Sequence, residues 1–252
     1  MIIQIDHIAL ATSNFEKSTR LLSSLSYQNK FCENGVKNPR IKKGLVKNYL
    51  GTHNLSFFLK GGSLNIELLN HVGNRGENGY ITPLFENVPD ELVRKRYTGD
   101  LFEQAEINGL DIPVYVKKNS KISGFRFNKL VIKTNRVEDS INFWRNFGFK
   151  KKGSLSGMAI LEFASFYPKH VYQIYLQPEG ASGKYLLDDN GFNCIAFVSS
   201  SSEKELLLYK NKGLKVTKME QIEINGKIIK IFFVKGPSGE LVEIVDFTEA
   251  NI

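Results

Sequence analysis

The sequence predicts an α+β fold assembled from repeated β-α-β-β-β units, and three observations predict it. Three segments each carry a short apolar strand pattern followed by a helical one. In each, 19 residues separate the centre of the strand from the small residue that closes the helix: His7 to Ser26, Lys129 to Gly148 and Cys194 to Gly213. Each helical pattern opens on a polar residue with an acid three positions later, and each is followed by three further strand patterns.

The first strand pattern is Ile5-Asp6-His7-Ile8-Ala9-Leu10-Ala11-Thr12, and Ser13 with Glu16 forms a capping-box pattern for the helix that follows. Strands are then expected at 27–33, 55–60 and 64–71, the last two joined by a turn at Gly61-Gly62. The second clear unit opens at 127–134 and is capped by Asn135 with Glu138. It sets Val137, Ile141, Trp144 and Phe147 on one helix face, which makes Trp144 a core residue. Gly148 stops this helix in the left-handed conformation, as Gly213 stops the next. Strands at 149–153, 159–163 and 171–177 complete the unit. The third opens at 192–198, is capped by Ser200 with Glu203, and continues through 214–219, 228–235 and 241–247 around a Gly236-Pro237-Ser238-Gly239 turn. Residues 72–122 read as a further, degenerate unit, with a helix at 101–107 and a strand at 113–116. Counting back 19 residues from Gly109 reaches Asp90, where no strand pattern exists.

Composition narrows the function classes. With 42% apolar and 24% charged residues the chain has enough to bury for a folded protein rather than a disordered one. No run approaches the roughly 18 apolar residues of a membrane span, and the opening Met1-Ile2-Ile3-Gln4 lacks the basic start of a signal peptide. Two cysteines, Cys32 and Cys194, are too few for a disulfide framework and suit a cytoplasmic protein. The net charge of +8 permits anionic partners. The basic residues gather only at 37–47 and 150–152, without interleaved aromatics, so a small anionic molecule is expected rather than nucleic acid or membrane. Phosphate-binding glycine loops, paired CxxC motifs and nucleophile elbows are absent.

The repeat, the Ile-Asp-His-Ile-Ala opening at 5–9 and the closing Gly-Pro-Ser-Gly-Glu-Leu-Val-Glu-Ile at 236–244 together resemble the vicinal oxygen chelate superfamily. That superfamily includes glyoxalase I, bleomycin-resistance proteins, extradiol dioxygenases and methylmalonyl-CoA epimerase. The resemblance covers 1–71 and 123–248. The first unit, through Asn65-Ile66-Glu67-Leu68-Leu69, looks most like the N-terminal half of an epimerase or glyoxalase. It implies glyoxalase-like βαβββ modules forming U-shaped mixed sheets around a cavity, one module being degenerate. An N-terminal domain over 1–122 would have an incomplete second module. A C-terminal domain over 123–252 would hold two modules and a cavity of its own, and the first unit would complete its sheet either on the incomplete module or across a homodimer.

The resemblance further implies that metal ligands come from the middle of each first and each last strand. By position these are His7 and Glu67, Lys129 and Tyr175, and Cys194 and Glu243. His7 and Glu67 are the candidate ligands for a divalent Zn, Mn, Ni, Co or Fe ion, or else a buried hydrogen-bonded pair. Glu243 is the candidate catalytic residue, as a ligand or a general base. Lys129, expected to pair with Glu243, lines the substrate site with Tyr175, Cys194 and His71, while strand alternation puts Asp6 on the helix side. The insertion at 34–54, with Lys37, Arg40, Lys42, Lys43 and Lys47, is either a solvated basic loop or a lid that attracts an anion. The function implied is a metal-dependent isomerase or lyase acting on a small oxygenated carboxylate or thioester. The alternative is a non-catalytic small-molecule binder of the bleomycin-resistance type. Extradiol dioxygenases place two His and one Glu in the C-terminal pair, where this chain has Lys129, Cys194 and Glu243, so dioxygenase chemistry is disfavoured.

Overall fold

A computed structural model describes residues 1–70, 79–99, 101–110, 112–117, 124–165, 170–179 and 185–247. The first unit comprises β1 (Ile2–Thr12), α1 (Phe15–Ser24), β2 (Gln28–Lys37), β3 (Thr52–Leu59) and β4 (Ile66–Asn70). The degenerate unit holds β5 (Ile81–Glu86), β6 (Val93–Tyr97), β7 (Glu103–Ile107) and β8 (Pro113–Lys117). A complete unit follows as β9 (Arg126–Thr134), α2 (Val137–Arg145), β10 (Lys150–Leu155), β11 (Met158–Ala164) and β12 (Val171–Pro178). The last is β13 (Gly191–Ser199), α3 (Ser202–Asn211), β14 (Lys215–Val216), β15 (Glu220–Ile224), β16 (Lys227–Lys235) and β17 (Leu241–Asp246). The fold is α+β, with mixed sheet pairings.

The equal spacing has a local cause. Thr12, Thr134 and Ser199 end the three first strands, and their hydroxyls accept the N–H groups of Asn14, Arg136 and Ser201 at 3.0, 3.0 and 3.1 Å. These bonds replace the expected capping boxes: the helix N-caps are Asn14, Arg136 and Ser201, one residue later than Ser13, Asn135 and Ser200. At the other end Ser26, Gly148 and Gly213 all take positive φ, at 64°, 93° and 74°.

The degenerate unit departs from the reading of 101–107 as a helix. Glu103 to Ile107 is a strand whose Ala105 and Ile107 are buried. It forms a hairpin with β6 in which Glu103 pairs with Arg96 and Glu106 with Arg94. Alternating burial, with charged cross-strand pairs on the other face, outweighs the helical propensity of this segment. Its first strand exists as well: β5 lies at 81–86, interrupted in sequence by Pro83. Because a hairpin stands where the helix would be, the 19-residue spacing points to the wrong place.

Strand pairing also differs from the expected grouping. β1 runs antiparallel to β13, so the first unit finds its partner within the chain, in the last unit. β5 runs antiparallel to β9, pairing the degenerate unit with the one that follows it. β13 is buried along nearly its whole length and is covered at both edges, by β1 and by the parallel strand β17. On the helix side, Phe147 stacks on Phe197 and packs against Tyr209, which locks the last two units together. Trp144 is fully buried there, as its place on the helix face predicts.

The two halves end differently. Between the degenerate unit and its partner, Leu84, Val131, Met158 and Tyr175 form a separate buried cluster, with Phe102, Tyr115 and Ile160 packed against it. The Phe102 ring lies 5.6 Å from Tyr175 and 5.7 Å from Tyr115. Lys129 belongs to this half and donates from Nζ to Glu86 Oε1 at 2.7 Å, not to Glu243. Glu86 is 2% exposed, so removing its partner strands a buried carboxylate. Lys129→Met should therefore lower unfolding stability in urea by about 3 kcal/mol, and Lys129→Met with Glu86→Gln should recover part of that loss. Equal stability of the single variant and the wild type would contradict the account.

Candidate metal centre

The first and last strands of each unit lie side by side in parallel, in one common register. Ala9 faces Glu67, Val131 faces Tyr175 and Ala196 faces Glu243. The position two residues before each first-strand member is His7, Lys129 or Cys194, so the ligand positions carried over from the resemblance are equivalent in space. β5 and β8 add a fourth register pair, Leu84 with Tyr115. The antiparallel β1–β13 pairing, with His7 opposite Ala196, then decides which equivalents meet. His7, Glu67 and Glu243 each bring one ligand atom into a group whose members all lie within 4.8 Å of one another.

The backbone positions His7 through a β-bulge. The β1–β13 register shifts between Ile5 and His7, leaving Asp6 as the extra residue. Asp6 and His7 thereby both line the same cavity, which an uninterrupted strand would forbid. This corrects the expectation that Asp6 faces the helices. Asn65 donates from its side chain to the Asp6 carbonyl at 2.8 Å and accepts the Ile8 N–H at its own carbonyl at 2.9 Å, which holds the bulge in place. Asp6 Oδ2 accepts the His7 Nδ1–H at 2.8 Å and so fixes the ring and its tautomer. The ring edge also packs on Phe57, 5.5 Å between centroids.

With Nδ1 occupied, His7 Nε2 points at two carboxylates: 3.4 Å from Glu67 Oε2 and 3.9 Å from Glu243 Oε2. The atom is buried and lacks a hydrogen-bond partner. Ligand atoms bonded at about 2.0–2.2 Å to one tetrahedral ion stand roughly 3.3–3.6 Å apart. The His7–Glu67 separation matches that range and the His7–Glu243 separation exceeds it by a few tenths of an ångström, so the residues present fit a divalent ion by donor chemistry and the unpartnered nitrogen, with the Glu243 carboxylate drawing in on binding.

The electrostatics of the group without an ion follow from its burial. Burial disfavours the imidazolium, but the nearby Glu67 carboxylate and the hydrogen bond to Asp6 more than offset it, holding His7 well above its ordinary value. Burial likewise opposes ionisation of Glu67, yet His7, Lys42 and His53 bring its carboxyl down to about 2. Glu243 goes the other way. Burial, reinforced by the Glu67 charge and opposed by Lys42, pushes it up to about 7. One carboxylate is thus firmly ionised, and the other holds or releases a proton near neutrality.

These residues sit in a cavity of about 230 Å³. Its walls are largely apolar, with Phe57, Ile224, Ile229 and Ile231 among them, and Lys37 and Lys42 from the insertion at 34–54 line it too. The insertion thus reaches over the cavity. His53, on β3, is a further buried lining residue.

Of the substrate-site residues expected from sequence, Lys129 and Tyr175 belong to the other, filled half. Cys194 is buried opposite Ala9 and adds no ligand atom to the group; burial and the Glu243 charge push its thiol up. His71 lies outside the described residues. Asp6 and His53 were the residues missed, and Lys42 was read only as one of five basic residues of the insertion. For Asp6 the Asp-His dipeptide was a signal, but simple strand alternation concealed it.

No protein-family model and no curated protein sequence matches the chain. Among solved structures it is similar to a Bacillus subtilis protein named "putative dioxygenase", at 11% identity and a TM-score of 0.64, over 98% of this chain and 86% of that one. It is also similar to glyoxalase I from Zea mays, at 14% identity and a TM-score of 0.60, over 97% and 92%. A mutant form of that maize enzyme gives a TM-score of 0.64 at 14% identity, over 97% and 94%. Almost the whole length aligns in each case, including the degenerate unit. The chain has a glyoxalase-like fold, with repeats that pair first with last and second with third.

Proposed function

We propose that this chain is a metal-dependent enzyme of isomerase or lyase type, acting on a small oxygenated substrate, with His7, Glu67 and Glu243 as the ligands of a divalent ion. The observation that carries the reading is the buried, unpartnered His7 Nε2 facing two carboxylates at ligand spacing. A divalent ion bound there supplies Lewis-acid polarisation of neighbouring substrate oxygens and stabilises the negative charge that develops when a proton leaves the adjacent carbon.

The chain's own residues supply the rest. Asp6 holds the His7 ring with Nε2 directed inward. Glu67, ionised far below neutrality, is the permanent negative charge of the group. Glu243 completes the ligand set; burial and the Glu67 charge push its carboxyl up to about 7 while no ion is bound, so an ion has to displace its proton. The apolar walls keep bulk water from a developing charge. The second reading is a binder without catalysis, which the same apolar walls favour. Metal retention separates the two.

Protein purified without a histidine tag should contain about one divalent ion per chain by elemental mass spectrometry. His7→Ala and Glu67→Ala should lose it, and Asp6→Asn should weaken affinity by about 10–100-fold. Absence of metal after incubation with Zn, Mn, Ni, Co and Fe(II), or equal content in all variants, would contradict the proposal.

Ion binding should also release protons. The apo centre holds one on His7 and part of one on Glu243, and both must leave before these atoms can bind a cation. Affinity should accordingly rise with pH between about 6 and 8. Calorimetry in buffers of different ionisation enthalpy should find more than one proton released per ion at pH 6.5. A pH-independent affinity without proton release would overturn this assignment of protonation states.

A further inference from the structure

Lys42 stands in a short 3-10 turn, Arg40–Gly44, within the insertion between β2 and β3. It is 8% exposed and lines the same cavity as His7, Glu67 and Glu243. Among the described residues no hydrogen bond or close ion pair engages its ammonium, although its charge acts on both Glu67 and Glu243. Lysine is among the residues least often buried unless it is paired. A lysine in this position therefore calls for a partner that none of the described residues brings into contact with it.

The loop holds Lys42 firmly rather than presenting it on a solvated arm. Val36 and Leu45 are buried at its two ends. Asn38 donates from its backbone to the Gly51 carbonyl at 2.9 Å and from its side chain to the Leu50 carbonyl at 3.0 Å, while Tyr49 Oη donates to the Asn38 carbonyl at 2.7 Å. Asp188, 2% exposed, reaches across from the last unit and accepts the N–H groups of Lys47 and Asn48 at 2.8 and 3.0 Å. The turn is thus pinned on both sides of Lys42.

Without an ion, Glu67 and Glu243 are the charges that balance this lysine. A divalent ion at His7, Glu67 and Glu243 takes up those carboxylates and leaves the ammonium facing the same small space without its counter-charge. Of the lysines lining the cavity, Lys30 and Lys37 are exposed and Lys42 is the buried one; one buried ammonium is a point charge suited to a monoanion, whereas phosphate sites add backbone N–H groups or bidentate arginines. The remaining wall, with Phe57, Ile229 and Ile231, suits a hydrocarbon group. The volume of about 230 Å³ lies below the range of about 300–1,000 Å³ usual for drug-sized ligands.

We propose that Lys42 is the anion-recognition residue of the cavity: it binds the carboxylate of a small oxo- or hydroxy-acid whose neighbouring oxygen reaches the metal centre and whose hydrocarbon tail lies on Phe57, Ile229 and Ile231. The assignment of the neighbouring oxygen rests on the reading of His7, Glu67 and Glu243 as ion ligands.

The test compares wild type, Lys42→Met and Lys42→Arg, each after incubation with Zn. Calorimetry would titrate pyruvate, 2-oxoisovalerate, phenylpyruvate and benzoylformate against the corresponding neutral amides, with metal content and thermal melting measured in parallel. Wild type should bind at least one acid about tenfold or more tighter than its amide. Lys42→Met should lose that preference while keeping its metal, its melting temperature and its amide affinity, and Lys42→Arg should retain part of the preference. Wild type that binds no acid, or binds acid and amide equally, overturns the assignment, as does a Lys42→Met that still prefers the acid. Protein that takes up no Zn yet discriminates acid from amide through Lys42 overturns the metal reading and keeps the anion assignment.

Discussion

The antiparallel contact between β1 and β13 is the interaction on which the rest of the structure depends. It places His7 opposite Ala196, and β17, parallel to β13 with Ala196 facing Glu243, carries the second acid to the histidine. β4, parallel to β1, brings Glu67 from the other side. The centre is therefore assembled from the two ends of the chain, and among the described residues no segment of the middle supplies a ligand to the group. Forming it requires the longest-range pairing in the fold, which a chain dominated by local contacts could not provide.

The same sheet geometry is built twice and used differently. In the half joining the first and last units, Ala9 and Ala196 stand opposite the two acids, Glu67 and Glu243, and the ligand positions open onto a cavity. In the other half the corresponding strand centres are Leu84 and Val131, and the positions equivalent to the ligands hold Thr82, Tyr115, Lys129 and Tyr175. The cluster around Leu84, Val131 and Tyr175, with Phe102 and Tyr115 packed on it, fills the space, and a Lys129–Glu86 ion pair stands where charged ligands would otherwise converge.

Much of this was legible in the sequence, and what was not has identifiable causes. The 19-residue spacing located three first strands and their helices, because a hydroxyl at each strand end and a left-handed residue at each helix end repeat with the unit, and the family resemblance supplied the six equivalent positions. The pairing order was not legible, since a repeat specifies what each unit is and not which edge it meets. Asp6 was placed on the wrong face because a bulge breaks strand alternation at one residue. β5 went unseen because Pro83 interrupts it and because a hairpin replaced the helix that should have marked it. Lys42 was one of five basic residues in an insertion read as a solvated loop or a lid, and His53 an ordinary strand residue; nothing local in the sequence marked either as buried, because the cavity they line is shared with the last unit, through Ile229 and Ile231.

The central claim is that one divalent ion binds between His7, Glu67 and Glu243. The most direct measurement is anomalous diffraction from a crystal grown with Zn or Mn, recorded on either side of the metal absorption edge. The account predicts a single strong anomalous peak within bonding distance of His7 Nε2 and both carboxylates, with Asp6 still hydrogen-bonded to Nδ1. A well-ordered His7–Glu67 hydrogen bond with no peak beside it, or a peak elsewhere in the molecule, would contradict it.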